Sequence, residues 1–322
     1  MAAEPEQLPE FVDPLANLAH HGRVIPGSEP SRQAHAKLIE GKSESELKWW
    51  SKDTVAVVTG SNKGLGFEIV RRLAKNGITT ILTSRDEGRG IEAVNELKSQ
   101  GLDNVLFHPL DVTNPDSAAK LASWIKETVR GIDLLVCNAG IGSIDFSYET
   151  AKRIIDTNYF GSRITVSALL PLVKPSVAGA RILFIGSECG QLEVLNSEQL
   201  KQQLSDIDQL TEEDVDSLAR QYLEDVKAGS HWTDQYFPQY NESKVLLHAY
   251  SRVLAKRLSS RPEGNKIYVN ACTPGFTSTD IVGRHPGARS VEEGGDTPIW
   301  ILLYPSGGPT GGFFKDRADV SF

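Results

Sequence analysis

A short apolar run, a glycine-rich turn and an amphipathic segment follow one another directly near residue 54, and this succession constrains the fold more than any other feature of the chain. The run from Val55 to Val58 is typical of a buried parallel strand. The turn Thr59-Gly60-Ser61-Asn62-Lys63-Gly64-Leu65-Gly66 follows, and then apolar residues at helical spacing that end at Asn76-Gly77, a predicted C-cap. Glycines let the backbone approach a pyrophosphate, whose charge a helix N-terminus favours. The strand and helix around the turn therefore predict a nucleotide-binding turn rather than an ordinary tight turn.

The second predicted strand, from Ile78 to Thr83, ends in Ser84-Arg85-Asp86. This is about 20 residues after the glycine turn, where such folds place the residue that reads the ribose. An acid there would accept the 2′-hydroxyl of NAD, whereas Arg85, with Lys63 in the turn, can pair with a 2′-phosphate. The sequence therefore predicts NADP(H) as the cofactor. The alternative is that both residues are ordinary surface cations.

Strand and helix patterns continue to alternate, five times over, as far as Gly186-Ser187. This alternation predicts an α/β protein with a doubly wound parallel sheet of the Rossmann type. Ligands of such sheets bind at the carboxyl ends of the strands. Asp111, Asn138 and Ser187 follow predicted strands directly, as the glycine turn does, so we expect all four at one edge of the sheet.

Two of the intervening helices have a predicted start in the sequence. Asn114-Pro115 resembles an N-cap and the first helical residue after it, and Ser147 is the predicted cap of a helix that carries Asn158 and runs towards Pro171.

Tyr240 and Lys244 are four residues apart in a segment with a helical pattern, so they are expected to share a helix face. A cation held beside a phenol favours the phenolate and lowers the tyrosine pKa from its reference near 10. The spacing therefore predicts a proton donor near neutral pH. Taken alone it is common by chance, and its weight depends on the motifs that precede it.

Six motifs in this order resemble those of the short-chain dehydrogenase/reductase family. They are TGSNKGLG at 59–66, NAG at 138–140, Asn158, Ser187, YNESK at 240–244 and Pro274-Gly275. The resemblance covers about residues 54–320. It is closest to the monomeric carbonyl reductases, including plant members near menthone and salutaridine reductases, through LTSRDEGRG at 82–90, TNYFGS at 157–162 and NKIYVNACTPGF at 265–276.

The resemblance implies hydride and proton transfer to a carbonyl. Tyr240 would donate the proton, Ser187 would hold the carbonyl oxygen, and Lys244 would bind the nicotinamide ribose and lower the Tyr240 pKa. Asn158 would help to hold a water molecule that relays protons to solvent. The implied cofactor-binding residues, besides Tyr240 and Lys244, are Gly60, Ser61, Asn62, Lys63, Gly64, Leu65, Gly66, Arg85, Asp111, Val112, Asn138, Ala139, Gly140, Pro274, Gly275 and Thr279.

Between Ser187 and Tyr240 stand 52 residues, where shorter members of the family have about a dozen. Within this insertion, about residues 191–238, Thr211-Glu212-Glu213-Asp214 resembles a capping box that opens a helix as far as Gly229. The resemblance implies that this helix covers the face through which shorter members pair, so we expect a monomer.

Candidate substrate residues lie beside the catalytic motifs. They are Ser187, Cys189, Trp232, Tyr236, Phe237, Tyr240 and Phe276, and the aromatic members favour an apolar or aromatic carbonyl substrate. Packing of the insertion onto the core explains Trp232, Tyr236 and Phe237 equally well. The position of Glu188 beside the catalytic serine is unusual, and this side chain either turns outward or shapes the pocket.

Residues 1–52 contain five prolines and no sustained periodicity, which predicts a largely irregular extension ahead of a reductase domain at 53–322. His20-His21 has no partner at metal-ligand spacing, and no metal site is expected. Trp49-Trp50 is expected to anchor the extension to the domain.

Composition excludes several classes of function. A net charge of -8 gives no support to a nucleic-acid or anionic membrane surface, and no apolar run approaches the length of a membrane span. Three widely separated cysteines predict reduced residues in a cytoplasmic protein.

Two alternative functions remain. One is reduction of a conjugated carbon-carbon double bond, the reaction of some plant relatives. The intact Tyr240 favours carbonyl reduction over this alternative. The other alternative is a nucleotide-sensing binding protein without catalysis.

Overall fold

The computed structural model of the protein describes residues 40–41, 47–283 and 285–322. Most of the predicted extension, including His20-His21, lies outside the described residues. Trp49 and Trp50, at its end, are half-buried and pack against the core, and the Arg181 guanidinium lies 3.9 Å from the centre of the Trp49 ring. These contacts confirm the predicted anchor.

One eight-stranded sheet runs through the described residues. Its strands are β1 Val55–Val58, β2 Thr79–Ser84, β3 Val105–Pro109, β4 Leu134–Cys137, β5 Ser176–Ile185, β6 Asn265–Cys272, β7 Phe313–Lys315 and β8 Ala318–Val320. Their spatial order is β3-β2-β1-β4-β5-β6-β7-β8. All neighbours are parallel except β7 and β8, which form an antiparallel pair at one edge. The predicted doubly wound parallel sheet is confirmed, with the antiparallel edge strand as an addition.

Helices cover both faces of the sheet. They are α1 Gly64–Lys75, α2 Glu87–Ser99, α3 Pro115–Thr128, α4 Tyr148–Ile155, α5 Gly161–Leu169, α6 Glu198–Ser205, α7 Glu212–Lys227, α8 Pro238–Ser259, α9 Val291–Gly294 and α10 Asp296–Leu302. Alternate residues of β1 face opposite sides, so Val55 and Val57 belong to one core while Ala56 and Val58 belong to the other. Helices α1, α2 and α10 complete the second core, and α3 to α8 complete the first.

The predicted helix signals at the ends of these elements are present. Asn114 caps α3 by accepting hydrogen bonds from the Asp116 and Ser117 amides, and Ser147 caps α4. Gly77 follows α1 with a φ of 81°. The predicted helix through Asn158 is interrupted, however, because Asp156–Phe160 is a π-helical segment between α4 and α5.

The insertion forms α6 and α7, and the Thr211–Asp214 capping box at the start of α7 is confirmed. Ion pairs and a hydrogen bond hold α7 against the core. Arg163 on α5 donates to Glu212 at 2.5 Å and to Asp216 at 3.0 Å, and the Tyr159 hydroxyl donates to Asp216 at 2.6 Å. Within the described residues no helix combines the length and apolarity needed to cross a bilayer.

Candidate active site

A cleft of about 870 Å³ opens at the carboxyl ends of the central strands, where the strand order reverses between β1 and β4. Most of the predicted cofactor residues line it: Gly60, Asn62, Lys63, Gly64, Leu65, Gly66, Arg85, Asp111, Val112, Asn138, Ala139, Gly140, Tyr240, Lys244, Pro274, Gly275 and Thr279. Ser61 is the exception. Its hydroxyl donates to the Val58 carbonyl at 2.7 Å and its amide to the Thr83 carbonyl at 2.8 Å, so the side chain faces the strands and is buried.

Two glycines of the turn have no room for a side chain. A Cβ on Gly60 would lie 2.9 Å from the Cα of Ala139, and one on Gly66 would lie 2.5 Å from the Asn138 amide nitrogen. That amide nitrogen donates to the Thr59 and Gly60 carbonyls at 2.8 and 3.0 Å, which ties the turn to the end of β4. The start of α1 has no side-chain cap at Lys63, which leaves amides at the helix N-terminus available to an anion in the cleft.

Cations line the part of the cleft beside β2. Arg85 is exposed there, and Lys63 forms an ion pair with Asp280 across the cleft. Arg89 and Arg153 also line the cleft, and the sequence reasoning missed both. Arg89 follows Arg85 by four residues at the start of α2, a helical spacing that was available as a signal.

Tyr240 and Lys244 lie on adjacent turns of α8, as their spacing predicted. The Lys244 ammonium is 5.5 Å from the centre of the Tyr240 ring and donates to the Ile185 carbonyl at 2.8 Å. Both side chains line the same cleft as the glycine turn.

The predicted direction of the Tyr240 pKa is wrong. Burial among protein atoms raises the pKa of Tyr240, and the nearby Cys189 thiol adds to the rise, while a hydrogen bond with Ser187 acts in the lowering direction. Burial also lowers the pKa of Lys244 to about 8. The loss of water around both groups outweighs the attraction on which the prediction rested.

Asn158 is fully buried within the π-helical segment. Its amide nitrogen donates to the Ile141 carbonyl at 3.0 Å and to the Ser243 hydroxyl at 2.9 Å, and its oxygen accepts from the Ile141 amide at 2.8 Å. The side chain thereby joins the loop after β4 to α8. π-Helical turns of this kind are frequent at functional sites.

Ser187 follows β5 and begins a single 3₁₀ turn over Glu188–Gly190. Its hydroxyl accepts from the Cys189 amide at 3.2 Å, and it lies close enough to Tyr240 to act on the pKa of that phenol. Glu188 turns away to an ion pair with Lys315 on β7 at 2.6 Å, which answers the question that its position raised. Burial raises the pKa of the Cys189 thiol.

The aromatic residues that were predicted to contact the substrate lie in different surroundings. Trp232 packs the insertion onto the core: its ring nitrogen donates to Asp225 at 2.8 Å and its ring lies 5.1 Å from that of Tyr222. Its hydrogen bond and its ring contact are both internal, which supports the packing alternative for Trp232. Tyr236 is 57% exposed, Phe237 precedes α8 with a φ of 63°, and Phe276 packs against His285.

Sheet order, glycine turn and the tyrosine and lysine of α8 together define one class of protein. The chain belongs to the short-chain dehydrogenase/reductase family. A family model described as short chain dehydrogenase matches residues 54–198.

Individual relatives extend the match over most of the chain. "Short-chain dehydrogenase/reductase 1" of Saponaria officinalis is 39% identical over 297 residues, which cover 83% of this chain and 95% of the relative. "Carbonyl reductase [NADPH] 1" of Mus musculus is 36% identical over 275 residues, covering 83% and 98%. The solved structure of salutaridine reductase from Papaver somniferum is 34% identical with a TM-score of 0.75, covering 82% of this chain and 99% of that one.

Proposed function

We propose that the protein reduces the carbonyl group of an apolar or aromatic ketone, aldehyde or quinone to an alcohol, with NADPH as its cofactor. One observation supports this above the others: Tyr240 and Lys244, one helical turn apart on α8, open into the same cleft as the glycine turn. The similarity to a carbonyl reductase named for NADPH supports the same reaction and cofactor.

The cleft residues fit NADP(H). At Gly60 and Gly66 a Cβ would collide with neighbouring protein atoms, so both positions require glycine. The backbone of this turn can then approach a pyrophosphate at the start of α1. Arg85, Arg89 and Lys63 would bind the 2′-phosphate that distinguishes NADP from NAD. NADPH supplies a hydride when bound.

The chain's own residues supply the proton and hold the substrate. A raised pKa keeps the Tyr240 phenol protonated at neutral pH, which is the state that reduction requires of a proton donor. Ser187 would donate a hydrogen bond to the carbonyl oxygen and so place it beside the phenol. Lys244 would bind the nicotinamide ribose, and Asn158 would keep the loop after β4 on α8.

Apolar side chains around the mouth favour an apolar substrate. A Cβ on Gly142 would lie 3.1 Å from Ile281 and 3.6 Å from the Tyr240 ring, so the loops after β4 and β6 meet beside the phenol. Ile144 and Phe146, in the same loop as Gly142, are 79% and 52% exposed. Exposed apolar residues in such a group indicate a ligand surface.

We also propose a cytoplasmic monomer of plant-like type. Cys137, Cys189 and Cys272 are all free, as expected in a reducing compartment. Helix α7 covers the face formed by Tyr159 and Arg163. The net charge of -8 gives no support to a nucleic-acid partner.

The test is NADPH oxidation, with NADH in parallel, over simple ketones, quinones and cyclic enones with identified products. We expect alcohol products, a preference for NADPH, and a loss of roughly 100-fold or more in kcat for Tyr240→Phe. Tyr268→Phe, four residues from the cleft end of β6, should keep the wild-type rate. A saturated ketone as the product would favour double-bond reduction instead, and NADPH binding without turnover would favour the sensing protein.

A further inference from the structure

We propose that His248 is a positioning residue: through both ring nitrogens it fixes the turn that carries Ser187 onto helix α8, beside Tyr240. The proposal rests on the proposed function, since it concerns the serine assigned to the carbonyl oxygen. His248 stands one helical turn beyond Lys244, which is itself one turn beyond Tyr240.

The two hydrogen bonds of the ring fix its protonation. The Ser187 amide donates to Nε2 of His248 at 3.3 Å, and Nδ1 lies 3.0 Å from the Gly190 carbonyl oxygen. An amide N–H can only donate and a carbonyl can only accept, so Nε2 must carry the lone pair and Nδ1 the proton. The ring is therefore a neutral imidazole in one tautomer, and it clamps the first and last residues of a four-residue turn.

The surroundings of the ring favour this neutral form. His248 is 2% exposed, and burial lowers its pKa to about 3, with the charges of Lys244 and Arg252 acting in the same direction. The hydrogen bond to the Gly190 carbonyl acts the other way and is too weak to reverse the effect. The tautomer thus stays the same across the physiological pH range.

Packing leaves the clamped turn little freedom. A Cβ on Gly186 would lie 2.2 Å from Nε2 of His248, and one on Gly190 would lie 2.6 Å from the Lys244 carbonyl carbon. Behind the ring, the centres of the Phe313 and Phe322 rings lie 4.3 and 5.8 Å away. The backbone on both flanks of Ser187 therefore rests directly on α8, with the imidazole between the turn and the Phe313 and Phe322 rings.

This arrangement fixes the positions of both Ser187 and Tyr240 relative to α8. Loss of the ring's hydrogen bonds would let the serine hydroxyl shift relative to the phenol, and small errors of placement between reacting groups reduce rates strongly. The hydrogen bonds and ring contacts of His248 are made with the serine turn, Phe313 and Phe322 rather than with the glycine turn, Arg85, Arg89 or Lys63. The loss should therefore appear in kcat and leave NADPH affinity unchanged.

Three substitutions separate positioning from packing. His248→Phe keeps an aromatic ring against Phe313 without either hydrogen bond; His248→Gln keeps an acceptor near Nε2 and His248→Asn a donor near Nδ1. We expect kcat per NADPH-binding site to fall between about 10-fold and 100-fold for His248→Phe and by only about 3-fold for His248→Gln, with His248→Asn between them. His108→Phe, on β3 and outside the cleft lining, is the matched control and should match wild type.

A merely structural histidine would lower the yield or stability of folded protein, whereas kcat per binding site would not change. Wild-type kcat in His248→Phe, or a His248→Gln variant as slow as His248→Phe, would therefore overturn the proposal. Should His248→Phe fail to fold, nitrogen-15 spectra of the wild-type histidine ring decide. They should show a protonated Nδ1 and an unprotonated Nε2 that stay constant from about pH 5 to pH 8; the other tautomer, or titration in that range, overturns it.

The two levels of inference fail separately. A wild type that binds NADPH but reduces no carbonyl overturns the proposed function, and the role of His248 with it. A wild type that reduces carbonyls no faster than His248→Phe overturns the positioning role alone.

Discussion

Ionisable side chains are buried along the stretch of α8 that follows Tyr240. Burial raises the pKa of Glu242 to about 8 and lowers that of Lys244 to about 8 and that of His248 to about 3. Each shift favours the uncharged form, because the low-polarity surroundings disfavour charge of either sign. Helix α8 therefore carries fewer charges at neutral pH than its composition indicates.

Glu242 makes this effect measurable. Its carboxyl accepts a hydrogen bond from the Trp232 amide at 2.8 Å and joins the insertion to α8. Between its ordinary pKa of 4.5 and about 8, the unfolded chain releases this proton while the folded protein retains it. The free energy of unfolding should therefore fall as pH rises through this window.

We expect Glu242→Gln to remove that dependence and to retain the hydrogen bond from Trp232. At pH 9 the variant should unfold at a higher urea concentration than wild type, with a free energy of unfolding greater by an amount on the order of a few kcal/mol. This difference in free energy should shrink towards pH 5. Glu96→Gln, an exposed change on α2, should follow wild type at every pH. A stability difference that is the same at pH 5, 7 and 9 would show that Glu242 is ionised in the folded protein.

Tyr240 shows what spacing alone can predict for a single residue. Its shared face with Lys244 was predictable, because i and i+4 positions are neighbours on any α-helix. The direction of its pKa was not, because that depends on the water excluded by residues from β5 and the serine turn, which are distant in sequence.

At the level of elements, one close contact of the site joins α1 to the residue that follows β4. Gly66 packs against the Asn138 amide, which in turn braces the glycine turn. An alanine at Gly66 must push this amide or the turn aside. Gly88 provides a comparison, because a Cβ there would meet only Asp86 at 3.5 Å, an ordinary contact.

We therefore expect Gly66→Ala to weaken NADPH binding at least about 10-fold, since the turn that cradles the pyrophosphate must move. Gly88→Ala, in the first turn of α2, should bind NADPH normally and be more stable by about 0.5–1 kcal/mol through helix propensity. Fluorescence titration with NADPH and urea unfolding measure the two effects. Equal affinity in both variants would contradict the role given to the glycine turn.

The π-helical segment at Asp156–Phe160 is an element that no sequence pattern indicated. Apolar residues on either side of it keep helical spacing, so the sequence predicted one continuous helix. The extra residue in the turn accompanies the hydrogen bonds of Asn158 to Ile141 and Ser243, which belong to a loop and a helix far along the chain.

For the whole molecule, the insertion is the element on which the proposed monomeric state depends. Glu212 on α7 pairs with Arg163 at 2.5 Å and with Arg257 on α8 at 2.6 Å, which holds the helix over the face that α5 and α8 would otherwise expose. A partner subunit on that face would have to displace this network.

We expect sedimentation equilibrium to give a mass near 35.2 kDa at all protein concentrations that the method covers. Glu212→Ala, which removes the shared acceptor of Arg163 and Arg257, should make α7 more accessible to limited proteolysis than Ser217→Ala on the same helix. A mass near twice the chain mass would show that pairing uses another surface.

The sequence by itself determined the alternation of strands and helices from β1 to β5, the glycine turn, the helix caps at Asn114, Ser147 and Thr211, and the face shared by Tyr240 and Lys244. All of these depend on residues within about four positions of one another, where backbone geometry decides. Only the tertiary structure decided that Trp232 packs inward, that Glu188 pairs with Lys315 and that His248 clamps the serine turn. Burial and hydrogen bonding between residues from seven to 127 positions apart arise from sheet order and packing, which no local pattern contains.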